Sequence, residues 1–250
     1  MRSGCNSAAS SVTVYVLSPR EVSEACSSSN GGCYRSSGDL IVVRGPTVRG
    51  NIDRETVLAH EYAHHIANNR NNPPWDAAAW GPKRWATDMN VCRRVASHAA
   101  FPGAEDPKHY PLNPGEGWAG AYAFANGYQF SDVLYRWFPN KRAKALIKQD
   151  AIHPWAGDTT RTLMHTVGRG RTTRTNVSTP LDGTLHLRLN GPKGSVLQLK
   201  LSIGNTVVKT AKANSPNQRI DYPVCGNRQF AVVVSAIRGS GSYKLVMKRP

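Results

Sequence analysis

The sequence predicts a chain of two domains, an α+β domain followed by a small all-β antiparallel sandwich. Strand-like segments at 11–17 and 39–43 precede segments with helical periodicity in the first two thirds of the chain. The last third consists of short alternating runs separated by turn residues, a pattern typical of a sandwich. Gly, Arg and Thr dominate 168–175 between them, which indicates a linker. The predicted domains are therefore residues 1–167 and 176–250, and both are long enough to bury a core.

The helix predicted at 53–69 carries the sequence H-E-x-x-H at His60, Glu61 and His64. Asp53 stands at the N-cap position, and apolar residues recur at helical spacing around the histidines. On a helix, two histidines four residues apart project from the same face and can chelate one metal ion. Glu61 can then accept a proton from metal-bound water, which is the chemistry of peptide hydrolysis. The alternative is a surface helix that carries two histidines by chance.

A catalytic zinc site needs a third protein ligand, which must come from further along the chain. Only two glutamates follow Glu61, namely Glu105 in an exposed loop and Glu116. Glu116 opens a predicted helix whose N-cap is Asn113 and whose face is rich in small residues. The same spacing also forms a capping box, in which Glu116 would only bond back to the Asn113 amide. Asp88, which is closer to the histidines along the sequence, is the rival ligand.

The motif His60-Glu61-x-x-His64, followed by Glu116 in N-P-G-E-x-W-A-x-A-Y, resembles the gluzincin group of zinc metallopeptidases. In particular it is similar to secreted metalloproteases of actinomycete bacteria. The resemblance implies a zincin-like domain in which His60, His64 and Glu116 bind zinc and Glu61 is the general base. One position departs from the family pattern, because Gly120 stands where a second glutamate commonly supports a ligand histidine.

The resemblance covers roughly residues 26–155 and implies two further roles. Some gluzincins place a tyrosine just upstream of the third ligand to stabilise the oxyanion, which makes Tyr110 a candidate catalytic residue. In zincins an edge strand beside the active-site helix pairs with the extended substrate. The strand at 39–43 resembles that element, although it could equally be a core strand.

The remaining elements are predicted from periodicity and turn signals. Helical segments are predicted at 85–100, 113–127, 131–137 and 141–149. Beyond the linker, alternating segments are predicted as strands at 184–189, 196–201, 207–210, 219–222, 230–237 and 242–247. This part of the chain resembles the pre-peptidase C-terminal type of β-sandwich that is appended to secreted peptidases.

The C-terminal part of the chain is the more basic one. Residues 171–250 hold 13 Lys and Arg against 2 Asp, a net charge of +11, whereas residues 1–170 hold 19 Lys and Arg against 14 Asp and Glu. A basic sandwich could attach to an anionic cell-surface polymer, or its charge could simply keep the protein soluble. No aromatic-rich RNA-binding signature is present, so nucleic acid is not an expected partner. The expected partner is a protein or peptide substrate, bound by a monomer.

Cysteine usage favours an oxidising compartment. Cys26 and Cys33 bracket a flexible loop that a disulfide would close. Five cysteines are present, so at least one of Cys5, Cys92 and Cys225 would be a free or intermolecular thiol. No apolar run reaches the roughly 18 residues of a membrane span, and the start of the chain lacks the apolar region of a signal peptide. The protein is therefore expected to be either cytoplasmic or a secreted protein in its mature form, and the cysteines favour the secreted form.

The sequence thus predicts a secreted zinc metalloendopeptidase. Two alternatives remain open at this point. The first is an inactive zincin-like protein, which the intact Glu61 argues against. The second is a basic cell-surface-binding protein without proteolysis, in which H-E-x-x-H is accidental.

Overall fold

The computed structural model describes residues 11–26, 31–45, 53–128, 134–212 and 215–250. The chain divides into two compact units, Met1–Trp155 and Ala156–Pro250. The first unit combines helices with a small sheet, and the second is entirely antiparallel β structure. The predicted fold class, α+β followed by a sandwich, is confirmed. Within the described ranges, no helix is both long and apolar enough to cross a membrane.

The first unit contains a three-stranded sheet formed by β1 (Thr13–Leu17), β2 (Gly32–Arg35) and β3 (Leu40–Arg44). The strand order is β1-β3-β2, with β1 parallel and β2 antiparallel to β3. The predicted strand at 39–43 therefore exists, and of the two alternatives left open for it, an edge strand or a core strand, the structure has the core strand. Both of its edges are paired, and its apolar side chains Ile41 and Val43 are buried.

The helices of the first unit differ in length and pack around a common core. They are α1 (Pro19–Cys26), α2 (Arg54–Asn68), α3 (Ala77–Trp80), α4 (Lys83–Asp88), α5 (Val91–Ala96), α6 (Pro114–Ala125), α7 (Leu134–Trp137) and α8 (Lys141–Ile152). A two-stranded hairpin, β4 (Asn71–Asn72) and β5 (Trp75–Asp76), follows α2. The predicted helix at 85–100 is divided between α4 and α5, because Asn90 adopts a left-handed conformation with φ 57°. Residues 131–133 of the predicted helix at 131–137 lie outside the described residues.

Three tryptophans form the centre of this helical core. Trp85, Trp118 and Trp137 are fully buried, and the Trp85 ring lies 5.7 Å from that of Trp118 and 5.9 Å from that of Trp137. Burying such large rings is a major source of stability. The indole Nε1 of Trp118 also donates to the Ala63 carbonyl oxygen at 2.9 Å, which fixes α6 against α2. The core therefore sets the relative position of the two helices that carry the predicted site residues.

The second unit is a sandwich of two four-stranded antiparallel sheets. Its strands are β6 (Thr159–Val167), β7 (Thr172–Thr179), β8 (Gly183–Asn190), β9 (Val196–Ile203), β10 (Thr206–Thr210), β11 (Asn217–Val224), β12 (Arg228–Arg238) and β13 (Gly241–Arg249). The sheet orders are β10-β9-β12-β7 and β11-β8-β13-β6. Alternate residues of each strand point into a shared apolar core, as in β8, where Leu185, Leu187 and Leu189 are fully buried.

The domain boundary predicted at the linker 168–175 is wrong. The division between the units falls between Trp155 and Ala156. Strand β6 belongs to the sandwich because it pairs with β13 along its whole length. Residues 168–171 form the turn between β6 and β7, and the remaining linker residues are already part of β7. Glycines that suggest a flexible connection therefore serve a tight turn, in which Gly170 has φ 70°.

The predicted Cys26–Cys33 disulfide is confirmed. It joins the end of α1 to the edge strand β2. Cys92 and Cys225 are also disulfide-bonded, and Cys5 lies outside the described residues. Disulfides persist in oxidising compartments, so the cysteines agree with a protein that works outside the reducing cytosol.

Candidate metal centre

Helix α2 holds the H-E-x-x-H motif and begins as the sequence predicts. The Asp53 side chain caps it by accepting a hydrogen bond from the Thr56 amide at 2.7 Å. His60 is buried and His64 is only partly exposed, although both belong to a helix with an exposed side. Their Nε2 atoms lie 3.2 Å apart, as expected for residues one helical turn apart.

Glu116 of α6 completes a group of three possible metal ligands. Its Oε2 atom lies 3.1 Å from His60 Nε2, and its Oε1 atom lies 3.4 Å from His64 Nε2. The three residues form a group whose ligand atoms all lie within 4.8 Å of one another. Two residues from one helix and a third from a helix packed against it therefore meet at one point.

The spacing of these donor atoms fits a tetrahedral metal site. With metal–ligand bonds of about 2.0–2.1 Å, neighbouring donors of a tetrahedron lie roughly 3.3–3.4 Å apart. The separation of the two Nε2 atoms, 3.2 Å, and that of His60 Nε2 from Glu116 Oε2, 3.1 Å, are close to that value. The other carboxylate oxygen, Oε1, lies 3.4 Å from His64 Nε2. Two imidazole nitrogens and one carboxylate oxygen are also a donor set that Zn²⁺ uses in catalytic sites. The group could therefore hold a metal ion.

The geometry of Glu116 does not match that of a capping-box residue. The Asn113 amide, which such a residue would bind, instead donates to the Tyr110 carbonyl oxygen at 3.0 Å. The Asn113 side chain caps α6 by accepting from the Gly115 amide at 2.9 Å. Both carboxylate oxygens of Glu116 are directed toward the histidines, so the cap forms without them.

Glycines let α6 approach its neighbours closely enough to place Glu116. A Cβ atom on Gly115 would lie 2.4 Å from the Ala78 carbonyl oxygen, and one on Gly117 would lie 2.3 Å from Cγ of Trp137. Real side chains do not tolerate such distances, so these positions need glycine. The small residues predicted for this helix therefore allow the close packing that places Glu116 at the site.

Tyr110 contacts the site in a way that the sequence did not predict. Its hydroxyl group donates to Glu116 Oε2 at 2.7 Å, a short distance typical of a bond to an ionised carboxylate. Burial and the nearby charge of Glu116 raise the pKa of Tyr110, so the hydroxyl group keeps its proton. Tyr110 therefore lies at the site, and its observed partner is the carboxylate of Glu116.

Glu116 and His64 each stabilise the charged form of the other. Burial raises the pKa of Glu116, but the charge of His64 and the hydrogen bonds of both histidines outweigh it and hold the pKa far below its usual range. Burial lowers the pKa of His64, but the charge and hydrogen bond of Glu116, with the charge of Glu61, raise it to about 9. Without a metal, a proton on His64 thus balances the carboxylate.

Glu61 lies beside the metal group rather than within it. It is largely buried, and its negative charge contributes to the raised pKa values of both His64 and Tyr110. The carboxylate is therefore close enough to interact with the site while leaving the three ligand positions to other residues. This placement agrees with the role of a base, for which the sequence proposes it.

Asp88, the rival third ligand, has a different partner. It ends α4, and its Oδ1 atom lies 2.8 Å from Arg142 Nε of α8. Among the residues that the structure describes, the group that could hold a metal contains Glu116 and not Asp88. The Asp88 carboxylate joins two helices of the core instead.

Two features near the site were missed from the sequence. His65, next to His64, is buried, and its Nδ1 atom lies 3.1 Å from Asp39 Oδ1, which also accepts a 2.7 Å bond from the Tyr34 hydroxyl group. Glu105 is exposed, as predicted, but burial and the charge of Glu116 raise its pKa, so its carboxylate interacts with the site. The sequence signals for these two features were the adjacent histidines His64 and His65 and the small number of glutamates after Glu61.

No protein-family model matches the sequence, and no curated protein matches it. Among solved structures, the sandwich is similar to the pre-peptidase C-terminal domain of a collagenase from Bacillus anthracis, with 14% identity and a TM-score of 0.32 over 35% of this chain and 88% of that one. The chain is also similar to a mitogen from Yersinia pseudotuberculosis, with 10% identity and a TM-score of 0.30 over 37% of this chain and 87% of that one. A 4-O-methyl-alpha-glucuronidase aligns with 9% identity and a TM-score of 0.27, over 78% of this chain but only 39% of its own. Similarities of this size carry no argument about function, which must come from the site.

Proposed function

We propose that this protein is a secreted zinc-dependent endopeptidase. The observation that carries the proposal is the convergence of His60, His64 and Glu116, with Glu61 in the position that H-E-x-x-H gives to a base. In this proposal His60, His64 and Glu116 bind Zn²⁺. The bound ion would act as a Lewis acid that polarises the peptide carbonyl and lowers the pKa of water. The disulfides support secretion.

Glu61 accepts the proton of the attacking water and passes it to the leaving amine. A carboxylate suits both steps, because it can accept a proton at one oxygen and donate it again as the peptide bond breaks. Tyr110 holds Oε2 of Glu116, which limits the rotation of that carboxylate. A role for Tyr110 in stabilising the oxyanion stays a prediction, since that role requires its hydroxyl group to leave Glu116.

An extended peptide can pair with the open edge of β2. Among the described strands, β2 pairs only with β3, so the other edge of Gly32–Arg35 offers unpaired backbone groups. Helix α2 packs against this strand, and a Cβ on Gly32 would lie 2.9 Å from Val57 Cγ1 of α2. The edge strand and the helix of the motif are therefore neighbours, as binding and cleavage of one substrate require.

Replacing Glu61 with Gln tests this function. The amide keeps the shape of the side chain but cannot accept a proton, so we expect hydrolysis of casein or a fluorogenic peptide to fall by roughly 10²–10⁴-fold while bound metal is retained. Glu105→Gln is the matched control, because it removes a carboxylate that also interacts with the site. Wild-type turnover in Glu61→Gln, or a wild-type protein whose hydrolysis does not respond to a chelator, would overturn the proposal.

A further inference from the structure

The cationic side chains of the sandwich are unevenly placed between its two ends. Residues 156–250 hold 15 Lys and Arg against 3 Asp, a net charge of +12. The antiparallel strand order brings the four connections after β6, β8, β10 and β12 to one end, and their described residues are 168–171, 191–195, 211–212 with 215–216, and 239–240. With Arg238, these connections are here called the basic end. Its exposed cations are Arg169, Arg171, Lys193, Lys212 and Arg238.

Backbone contacts show that the basic end is one continuous surface. The Gly170 amide donates to the Ala236 carbonyl oxygen at 2.9 Å, and the Ala236 amide donates to the Arg171 carbonyl oxygen at 3.0 Å. The turn that carries Arg169 and Arg171 is therefore bound to the strand that ends at Arg238.

The other two connections join the same surface. The Gly191 amide donates to the Pro216 carbonyl oxygen at 2.8 Å, which links the connections that carry Lys193 and Lys212. A Cβ atom on Gly239 would lie 3.3 Å from Ser195 Cα, so the last connection lies directly against 191–195. The five cations thus lie on adjoining loops or, for Arg238, at the strand end beside them, where like charges reinforce one another's field.

The acids of the sandwich do not neutralise this end. Asp221 binds His186 and Arg219 within the face of β11 and β8, and Asp158 lies 3.3 Å from Lys248. Asp182 belongs to the connection 180–182 at the opposite end, where it accepts a hydrogen bond from the Gly226 amide. No Asp or Glu occurs in the four connections of the basic end. At the opposite end, the connections 180–182, 204–205 and 225–227 contain no Lys or Arg, and the strand ends there carry Arg228, Lys248 and Arg249 together with Asp158 and Asp182.

We propose that the basic end binds a flexible anionic polymer with repeating phosphate or carboxylate groups, of the kind displayed on cell surfaces. Arginine and lysine on adjoining loops can contact successive anionic groups of one chain, and arginine does so with two parallel hydrogen bonds. The four connections contain no Phe, Tyr or Trp, so they offer no surface on which bases could stack. The charge of the basic end fits a polyanion, and the absence of aromatic side chains favours one recognised by its repeating charged groups over a nucleic acid. This activity would attach the protein to its site of action.

Binding of the full-length chain to inorganic polyphosphate, poly-L-glutamate and neutral dextran tests the proposal, and the first two polymers distinguish phosphate from carboxylate recognition. The test variant carries Arg169→Gln, Arg171→Gln, Lys193→Gln and Arg238→Gln. The matched control removes the same charge from exposed strand positions away from the basic end, with Arg161→Gln, Arg188→Gln, Arg228→Gln and Lys248→Gln.

We expect the wild type to bind at least one polyanion with an affinity that falls as salt increases, and not to bind dextran. The test variant should bind about tenfold or more weakly at low salt, with a salt dependence reduced by roughly 0.7 per lost contact, while the control changes less than about threefold. Equal losses in both variants would show that only total charge matters and would overturn the proposal. Tighter binding of oligothymidylate than of polyphosphate would assign the surface to nucleic acid instead.

A measurement on the wild-type protein does not depend on how the variants fold. Polyphosphate or poly-L-glutamate, whichever binds, should protect Lys193 and Lys212 from acetylation while Lys248, near the opposite end of the sandwich, reacts as in the free protein. All three lysines are exposed in the free protein. Equal protection of the three would contradict a binding surface at the basic end.

Discussion

Replacing Tyr110 with Phe separates two roles for its hydroxyl group. The structure shows the hydroxyl group donating to Glu116 Oε2 at 2.7 Å, so its removal should leave the carboxylate less restrained. A hydrogen bond to a charged group contributes about 1.5–3 kcal/mol, and loss of a residue that orients a metal ligand weakens metal binding by roughly 10–100-fold. We therefore expect a loss of metal affinity in that range, with the fold unchanged.

The assay is competition for zinc against a chelator of known affinity, combined with kinetics at saturating zinc. If Tyr110 positions Glu116, the affinity for zinc falls and kcat at saturating zinc is largely preserved. If Tyr110 instead stabilises the oxyanion, kcat falls and the affinity for zinc stays within about twofold, which would refute the positioning role. Tyr122→Phe, which removes the same atom from a tyrosine of α6 on another surface, is the matched control.

Two further perturbations test the electrostatics and the packing of the site. Without metal, the pKa of His64 is raised to about 9 in the folded state from about 6.5 in the unfolded state, so its contribution to stability is complete below pH ~6.5 and is lost as the pH rises through about 9. Because metal must displace that proton, apparent metal affinity should rise up to about tenfold per pH unit from pH 7 to 9, and a calorimetric titration that shows no proton release would contradict this. Gly117→Ala should lower the free energy of unfolding by about 1–3 kcal/mol, since its Cβ would lie 2.3 Å from the buried Trp137 ring. Denaturant unfolding measures this loss, with Gly168→Ala as a control whose Cβ would make only an ordinary 3.5 Å contact; equal stability of the two variants would argue against the packing role.

The parts of the site that local signals specify were predicted well. Asp53 caps α2 and Asn113 caps α6, because a cap depends on residues within one turn of the helix. The six predicted strands of the sandwich are present, since alternation of apolar and polar residues is also local. The Cys26–Cys33 disulfide follows from short spacing and a flexible intervening loop.

The errors, and the alternatives that the sequence left open, concern relations between distant segments. Strand β6 was missed because it is an edge strand with mostly exposed Thr and Arg side chains, so its alternation is weak. The central position of β3 depends on pairing with β1 and β2, which the β3 sequence alone does not determine. The contact between His65 and Asp39 likewise joins residues 26 positions apart. In each case tertiary pairing decides the outcome.

The metal content of purified protein tests the central claim most directly. Elemental analysis of the wild type, Glu116→Ala and Asp88→Ala, each equilibrated with zinc and desalted, would show which carboxylate completes the site. We predict about one zinc per chain in the wild type and in Asp88→Ala, because Asp88 is bound to Arg142. In Glu116→Ala only two histidines remain, and zinc should be lost together with hydrolysis. Retention of one zinc per chain and normal cleavage by Glu116→Ala would contradict the proposed site.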